Sequence, residues 1–252
     1  MKNRVTIVIP YKKLEDSEEL KYVLRSIDRH AKFRFQLCIV GDLPDWVNPN
    51  KILHLNPVIS QRDVNPKAFN VIDKLKYVAH HDEVDERILL MYDDIVFLRD
   101  IRLDDIKELI ALQELPSSED FKTDASSVWK NIIINTMRAL RRNNLPYNNY
   151  ESHLPRLFEK ERMQDVFKLF GFTKRAYCFP TIYYNYYYSV PDRFLNSNPG
   201  DIKAGIYFQK DLDNLQTLIG NNKWLNWGEK FWVQELKEIL RETFPEKGKY
   251  EL

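Results

Sequence analysis

A chain of 252 residues, 30% charged, 44% hydrophobic and 13% aromatic, fits one large soluble domain or a core domain carrying a lobe, with ample material for a buried core. Lysine and arginine number 38 against 37 acidic residues, so the net charge of +1 provides no global attraction toward nucleic acid or a membrane. The two cysteines, Cys38 and Cys178, are too few for a disulfide scaffold and lack the pairing of zinc sites, which makes a reducing, cytosolic setting the expectation.

The N-terminal apolar stretch is about six residues, far short of a membrane helix or a signal core, and no membrane span is expected. Val5 to Ile9 is a β-branched run closed by Pro10, the pattern of a strand buried on both faces. A helix follows, with Asp16 as its cap, Glu19 three residues on, and Leu20, Val23, Leu24, Ile27 and Ala31 on one face. FQLCIVGD, residues 35–42, gives a second strand ending at Gly41 and Asp42, and residues 53–55 a short third. KAFNVIDKLKYVAHH reads as the next helix, and RILLM from Arg87 to Met91 as another buried strand that runs through Tyr92, Asp93 and Asp94 into IVFL. Strands alternating with helices predict an α/β fold with a mostly parallel sheet flanked by helices. Ligands of such sheets bind beyond the carboxyl ends of the strands.

Residues 102–147 are helical and polar, with WKNIIINTMRALRR the clearest helix. From 147 to 200 the chain is rich in Tyr, Pro and Asn, which predicts loops and short strands around a site. The last helix is GEKFWVQELKEILRETF, with Trp232, Leu236, Ile239, Leu240 and Phe244 on one face before Pro245. With only 7 glycines there is no GxGxxG and no P-loop pattern, and neither HExxH nor GxSxG occurs.

MYDDIVFL carries the strongest chemical signal. Two adjacent carboxylates at the end of a buried strand meet a desolvation cost that calls for a cation, and Mg²⁺ or Mn²⁺ bridging two phosphates through Asp93 and Asp94 is the natural candidate. The plain alternative has Asp93 capping a turn and Asp94 paired with Arg99 or Arg62. In NNYESHLPRLF, an extended Glu151–His153 segment would aim both side chains to one side, giving a third metal ligand in His153 or a general base oriented by its neighbour. His80 and His81 read as a solvated helix end.

Pro10, Tyr11 and Lys12, together with Gly41 and Asp42, end buried strands and open onto one crevice, where an aromatic, an acid and a lysine suit a nucleotide's base and phosphates. An ordinary turn is the alternative. Lys67 and Asn70 open the following helix and are within reach of a diphosphate, or else form a solvated first turn. The tyrosines between 177 and 188 border a pocket or fill core, and Arg138, Arg141 and Arg142 read as a solvated helix end with phosphate binding as the alternative.

VTIVIPY, IVGD and LLMYDDIVFL together resemble nucleotide-sugar glycosyltransferases of the GT-A type, in which an acidic pair holds Mn²⁺ or Mg²⁺ on a nucleoside diphosphate. LKYVLRSIDRHAKFRFQLCIVGDLPDWV, ILLMYDDIVFLRDI, ESHLPRLFEKERMQ and FPEKGKYEL are similar, in order, to conserved blocks of the Stealth family of sugar-1-phosphate transferases. Short phage-encoded glycosyltransferases are similar too, with a stretch echoed by IYYNYY at 182–187. The Stealth first block is absent, Tyr92 stands where that family has Asn, and Asn226-Trp227 replaces its Asn-Asp. The resemblance implies Asp93 and Asp94 at the metal, Asp42 near the base, and His153 with Arg156 at the reacting centre. It also implies a GT-A-like (Rossmann-like) organisation. Residues 1–101 form the nucleotide-sugar-binding half, and 102–252 a helical, Tyr-rich, acceptor-side part of the same catalytic domain.

The expected function is metal-dependent transfer of a sugar from a nucleoside-diphosphate sugar, a UDP-sugar favoured, to a saccharide or other hydroxyl acceptor, modified DNA included. Either Glu151 or His153 would be the base. Transfer of sugar 1-phosphate from the same donor and noncatalytic binding of saccharide or nucleic acid are the alternatives.

Overall fold

The structure is a computed structural model that describes residues 4–13, 18–59, 66–122, 126–172, 174–197 and 202–252. In its first third, β1 (Val5–Tyr11), α1 (Glu19–His30), β2 (Phe35–Gly41), β3 (Leu53–Leu55), α2 (Pro66–His80), β4 (Arg87–Leu90) and β5 (Ile95–Phe97) follow the expected alternation. The middle holds α3 (Asp104–Lys107), β6 (Ile110–Ala111), β7 (Gln113–Glu114), α4 (Ser127–Arg142), β8 (Asn148–Asn149), β9 (Arg156–Glu159), α5 (Lys160–Phe170) and α6 (Phe179–Tyr187). The chain ends with β10 (Arg193–Phe194), β11 (Lys203–Ile206), α7 (Gln209–Asp213), α8 (Leu215–Asn221), β12 (Trp224–Trp227) and α9 (Gln234–Thr243). Among the described residues no helix is long and apolar enough to cross a membrane.

The central sheet has the order β3-β2-β1-β4-β9, parallel except for β9. Its continuous apolar runs follow from burial on both faces. Ile7, Ile9, Leu37, Ile39 and Leu89 feed one core with Leu20, Val23, Leu24 and Ile27 of α1 and Leu236 and Leu240 of α9. The alternate positions Val8, Cys38, Val40, Ile88 and Leu90 feed the other, against α2, α4, α5 and α6. Each such side chain contributes roughly 1.5–3 kcal/mol by leaving water. A second sheet, β11-β12-β5, packs beside the first, with β5 antiparallel to β12.

Two expectations change. β1 does not stop at Pro10 but runs to Tyr11, because its pairing with β4 ends at Val8–Leu90 while its pairing with β2 goes on to Gly41. Pro10 thus lies where β1 has a single strand neighbour, and the missing N–H is tolerated. Residues 147–200 are not mainly loops: the tyrosine-rich stretch is α6, buried from Phe179 to Asn185, with Pro180 in its first turn. The hydroxyls of its buried tyrosines, Tyr183 and Tyr184, find partners inside the protein. Tyr184 donates to the Leu157 carbonyl at 2.7 Å, and the Tyr183 oxygen accepts from the Glu159 N–H at 3.0 Å. The rings pack on Phe158, Phe167 and Phe172, so most of this cluster is core. The cap assigned to Asp16 lies outside the described residues.

Candidate functional site

From β1 the sheet grows in two directions, to β2 and β3 on one side and to β4 on the other. Such a switch in strand order opens a crevice at the carboxyl ends of the strands. Tyr11 ends β1 there, and Asp93 and Asp94 form the turn after β4. Burial, then the Asp93 charge, pushes the Tyr11 hydroxyl up to about 12. Both carboxyls are expensive to ionise: burial, then Glu19 at the start of α1, pushes Asp93 up to about 6, and burial, then Asp93 itself, pushes Asp94 up to about 7. Asp94 Oδ1 is buried without a hydrogen-bond partner among the described residues, while its Oδ2 lies 3.7 Å from His153 Nδ1. The plain alternative of an Asp94–Arg99 pair does not form, since Arg99 donates to the Gly220 carbonyl. Arg62 lies outside the described residues.

His153 has φ 46°, the left-handed region. The extended Glu151–His153 segment expected from Pro155 is therefore absent at His153, where the chain turns sharply, yet both side chains still line one recess together with Tyr92. The cost of such a backbone in a non-glycine residue, roughly 1–2 kcal/mol, is met only where the surroundings fix it. Arg156 provides that fixing. It is buried in the wall, where its guanidinium donates to the carbonyls of Ile110 at 2.7 Å and Tyr150 at 3.0 Å and to the Ser152 hydroxyl. It also lies over the rings of Tyr150 and Tyr184. Arg156 thus holds the 150–153 turn from behind rather than facing the crevice. Burial pushes the Glu151 carboxyl up to about 7 against the pull of Arg156, and its Oε1 has no partner among the described residues. Although the His153 side chain is 47% exposed, the protein packed around its ring, then repulsion from Lys203, holds the imidazole below its ordinary value, so it is neutral at pH 7.

At the other end of the crevice Gly41 sits at φ +116°, and a Cβ there would lie 2.2 Å from the Tyr11 carbonyl oxygen. Only glycine lets β2 turn this close to β1. The same carbonyl accepts from Lys74 Nζ at 2.6 Å. Asp42 is exposed and its carboxylate accepts from the Lys13 N–H at 2.7 Å. Lys12 is exposed at the rim, Asn70 is half-buried on α2, and Lys67 is exposed beside Glu229 at 3.3 Å and borders the recess of Tyr92 and His153. Arg138 and Arg141 pair with Glu119, in keeping with a helix end rather than a phosphate site. His80 donates to the Lys76 carbonyl at 2.8 Å.

An orphaned, buried carboxylate oxygen beside a second desolvated carboxyl fits a hard divalent ion that takes one or two carboxylates and completes its shell with substrate and water. Among the described residues no three His, Cys, Asp or Glu side chains form a group that would hold a metal by themselves.

Several members of the site escape sequence reasoning. Lys203, opening β11, donates to the Ser152 carbonyl at 2.5 Å and to the Tyr207 hydroxyl at 3.3 Å, and burial pulls its ammonium down to about 7 against the attraction of Asp94. Asn226 of β12, opposite Ile95, donates to the same tyrosine. The Lys74 signal was present in the sequence, as a lysine four residues before Val78 on the buried stripe of α2. Lys203 gave none, because its place depends on a strand pairing distant in sequence.

No protein-family model matches the chain. Among curated proteins it is similar to the N-acetylglucosamine-1-phosphotransferase subunits alpha/beta of Mus musculus, 30% identical over 98 residues, and of Homo sapiens, 29% identical over 103 residues. Each match takes in 37% of this chain and 8% of the relative, so the chain spans a small fraction of these proteins.

Proposed function

We propose that the chain is a transferase that draws an activated sugar from a nucleoside-diphosphate sugar and delivers it to a hydroxyl acceptor. One observation carries this reading: two desolvated, adjacent carboxyls at the carboxyl end of β4, one with an orphaned oxygen, stand at the switch point of a parallel sheet with a neutral imidazole at their edge. A divalent ion held by Asp93 and Asp94 would neutralise charge on the departing phosphate.

The protein's own groups divide the remaining work. Tyr11 and the exposed Lys12 and Asp42 border the donor's end of the crevice. The two oxygens of Asp94 serve different partners, Oδ1 being open to a cation and Oδ2 facing His153. His153, neutral at pH 7, has a ring nitrogen free to take the proton of an acceptor hydroxyl, and Asp94 Oδ2, 3.7 Å away, offsets part of the cost that the surroundings place on the imidazolium. Lys203 puts a second cationic group beside Asp94.

The named relatives favour a second reading of the same site, in which sugar 1-phosphate rather than the sugar alone is transferred. Product analysis separates the two. With a UDP-sugar, release of UDP accompanies glycosyl transfer, and release of UMP with phosphorus retained on the acceptor accompanies phosphosugar transfer. A thermal-shift panel of nucleoside diphosphates and their sugars, with and without Mn²⁺, tests the shared premise, because a ligand of the folded form alone raises its stability. Absence of any metal-dependent nucleotide shift overturns both.

A further inference from the structure

Beside the acidic turn lies a cavity of about 660 Å³, within the range of small-molecule sites. Its walls are hydrocarbon and aromatic: Val71, Ile72 and Leu75 of α2, Trp129 and Ile132 of α4, and Phe179 at the start of α6. Tyr92, Glu151 and His153 give it a polar patch, and Lys67 and Ser126, where α2 and α4 begin, are the other strongly polar groups of its lining. Glu151 brings there a carboxyl whose Oε1 has no partner among the described residues.

This division of chemistry selects an occupant. A free saccharide presents hydroxyls all round and would press most of them against groups that cannot hydrogen-bond, which is unfavourable. A molecule with an apolar body and one polar head matches both parts, its body excluding water from the walls and its hydroxyl meeting the carboxyl and imidazole. The nucleotide is a poorer match, since its charged phosphates would meet a single cation, the exposed Lys67 beside Glu229, and otherwise the apolar side chains of α2 and α4 rather than the acidic turn.

We propose that the cavity seats the apolar body of the acceptor, which is therefore an amphiphilic alcohol, such as a sugar carrying an alkyl or aryl group, with its reacting hydroxyl at Glu151 and His153. The role given to the hydroxyl rests on the transferase reading above; the binding of the apolar body does not.

The full chain, without donor, is titrated by calorimetry with glucose and with hexyl, octyl and decyl glucosides below their micelle-forming concentrations. Affinity is expected to rise roughly fourfold per added methylene until the cavity is full, with no detectable binding of glucose. Phe in place of Ala68, another α2 residue of the lining (Ala68→Phe), fills the space, and Val71→Asp charges its wall; each is expected to weaken decyl glucoside by roughly tenfold or more. An unchanged urea midpoint in either variant shows that folding is intact. Affinity independent of chain length overturns the proposal. So does displacement of octyl glucoside by a nucleoside diphosphate, which would give the cavity to the donor. Binding with the expected slope but without turnover by any nucleotide sugar keeps the amphiphile site and removes the transferase reading. Turnover of free sugars with no slope does the reverse.

Discussion

Replacing Asp94 with asparagine should make the metal-free protein more stable at pH 8. The carboxyl sits at about 7 in the folded chain against an ordinary value of 3.8, so the folded state holds its proton more tightly than the unfolded state does. Stability is then highest at low pH, falls as pH rises above 3.8, and the full cost is present above about 7. At about 1.4 kcal/mol per tenfold change in proton affinity, that difference sets an upper bound of roughly 4 kcal/mol. Coupling with Asp93 and solvent reaching the 23% exposed side chain reduce the gain to about 1–3 kcal/mol. Asparagine keeps the shape and removes the charge. The assay is urea unfolding of wild type and Asp94→Asn in a chelator at several values between pH 4 and pH 8. The gap should open with pH, be small near pH 4, and shrink when Mn²⁺ is added to the wild type. A variant no more stable than wild type at pH 8, or a gap independent of pH, would refute the assignment of Asp94 as a desolvated, unpaired carboxyl.

Gly41→Ala combines a positive φ with a backbone contact of 2.2 Å and displaces the Lys74 ammonium, so a loss of roughly 3 kcal/mol or more in urea unfolding is expected; a loss under about 1 kcal/mol would mean the turn can relax. His153→Asn keeps a residue that tolerates the left-handed conformation, so the urea midpoint should hold while turnover falls by about 10²-fold or more, the usual contribution of a general base, and donor binding in the thermal-shift assay persists. Tyr184→Phe leaves the Leu157 carbonyl without its donor and should cost about 1–2 kcal/mol in chemical denaturation with little effect on nucleotide binding; a large loss of nucleotide affinity would return this ring to the ligand site.

Periodicity made the α/β sheet legible because the two-sided burial of β1, β2 and β4 leaves a direct trace, an uninterrupted run of β-branched and aliphatic residues. Asp93 and Asp94 stood out for the same reason, as charge interrupting such a run. The tyrosine-rich segment misled because hydroxyl-bearing rings signal a wet surface only when their partners are unknown; here Leu157 and Glu159 of β9, some 25 residues away, satisfy Tyr184 and Tyr183, and no local rule foresees that. His153 was found by its neighbours in sequence but misjudged in conformation. Pro155 restricts only Leu154, and the turn at His153 is held by Arg156 through tertiary hydrogen bonds.

The departures from local preference are not scattered. Gly41 with its forced close approach, His153 in the left-handed region, Asp94 and Glu151 with unsatisfied oxygens, buried Lys74 and half-buried Lys203 all border one crevice and the recess beside it. A structural ion-pair network also perturbs titration, and it does so by pairing its members, as Arg25 and Glu251 are paired at 2.7 Å elsewhere in this chain with the carboxyl held low. At the crevice Asp93, Asp94 and Glu151 are pushed up and Lys74 and Lys203 down, so these groups are desolvated without the close ion pair that holds Glu251 low. Folding alone does not favour that arrangement, and under the proposed function its cost is recovered when a ligand completes it. Desolvated carboxyls and lysines gathered at the switch point of a parallel sheet add nothing to the stability of the fold, and the proposed function gives them a use in holding a cation and its substrate.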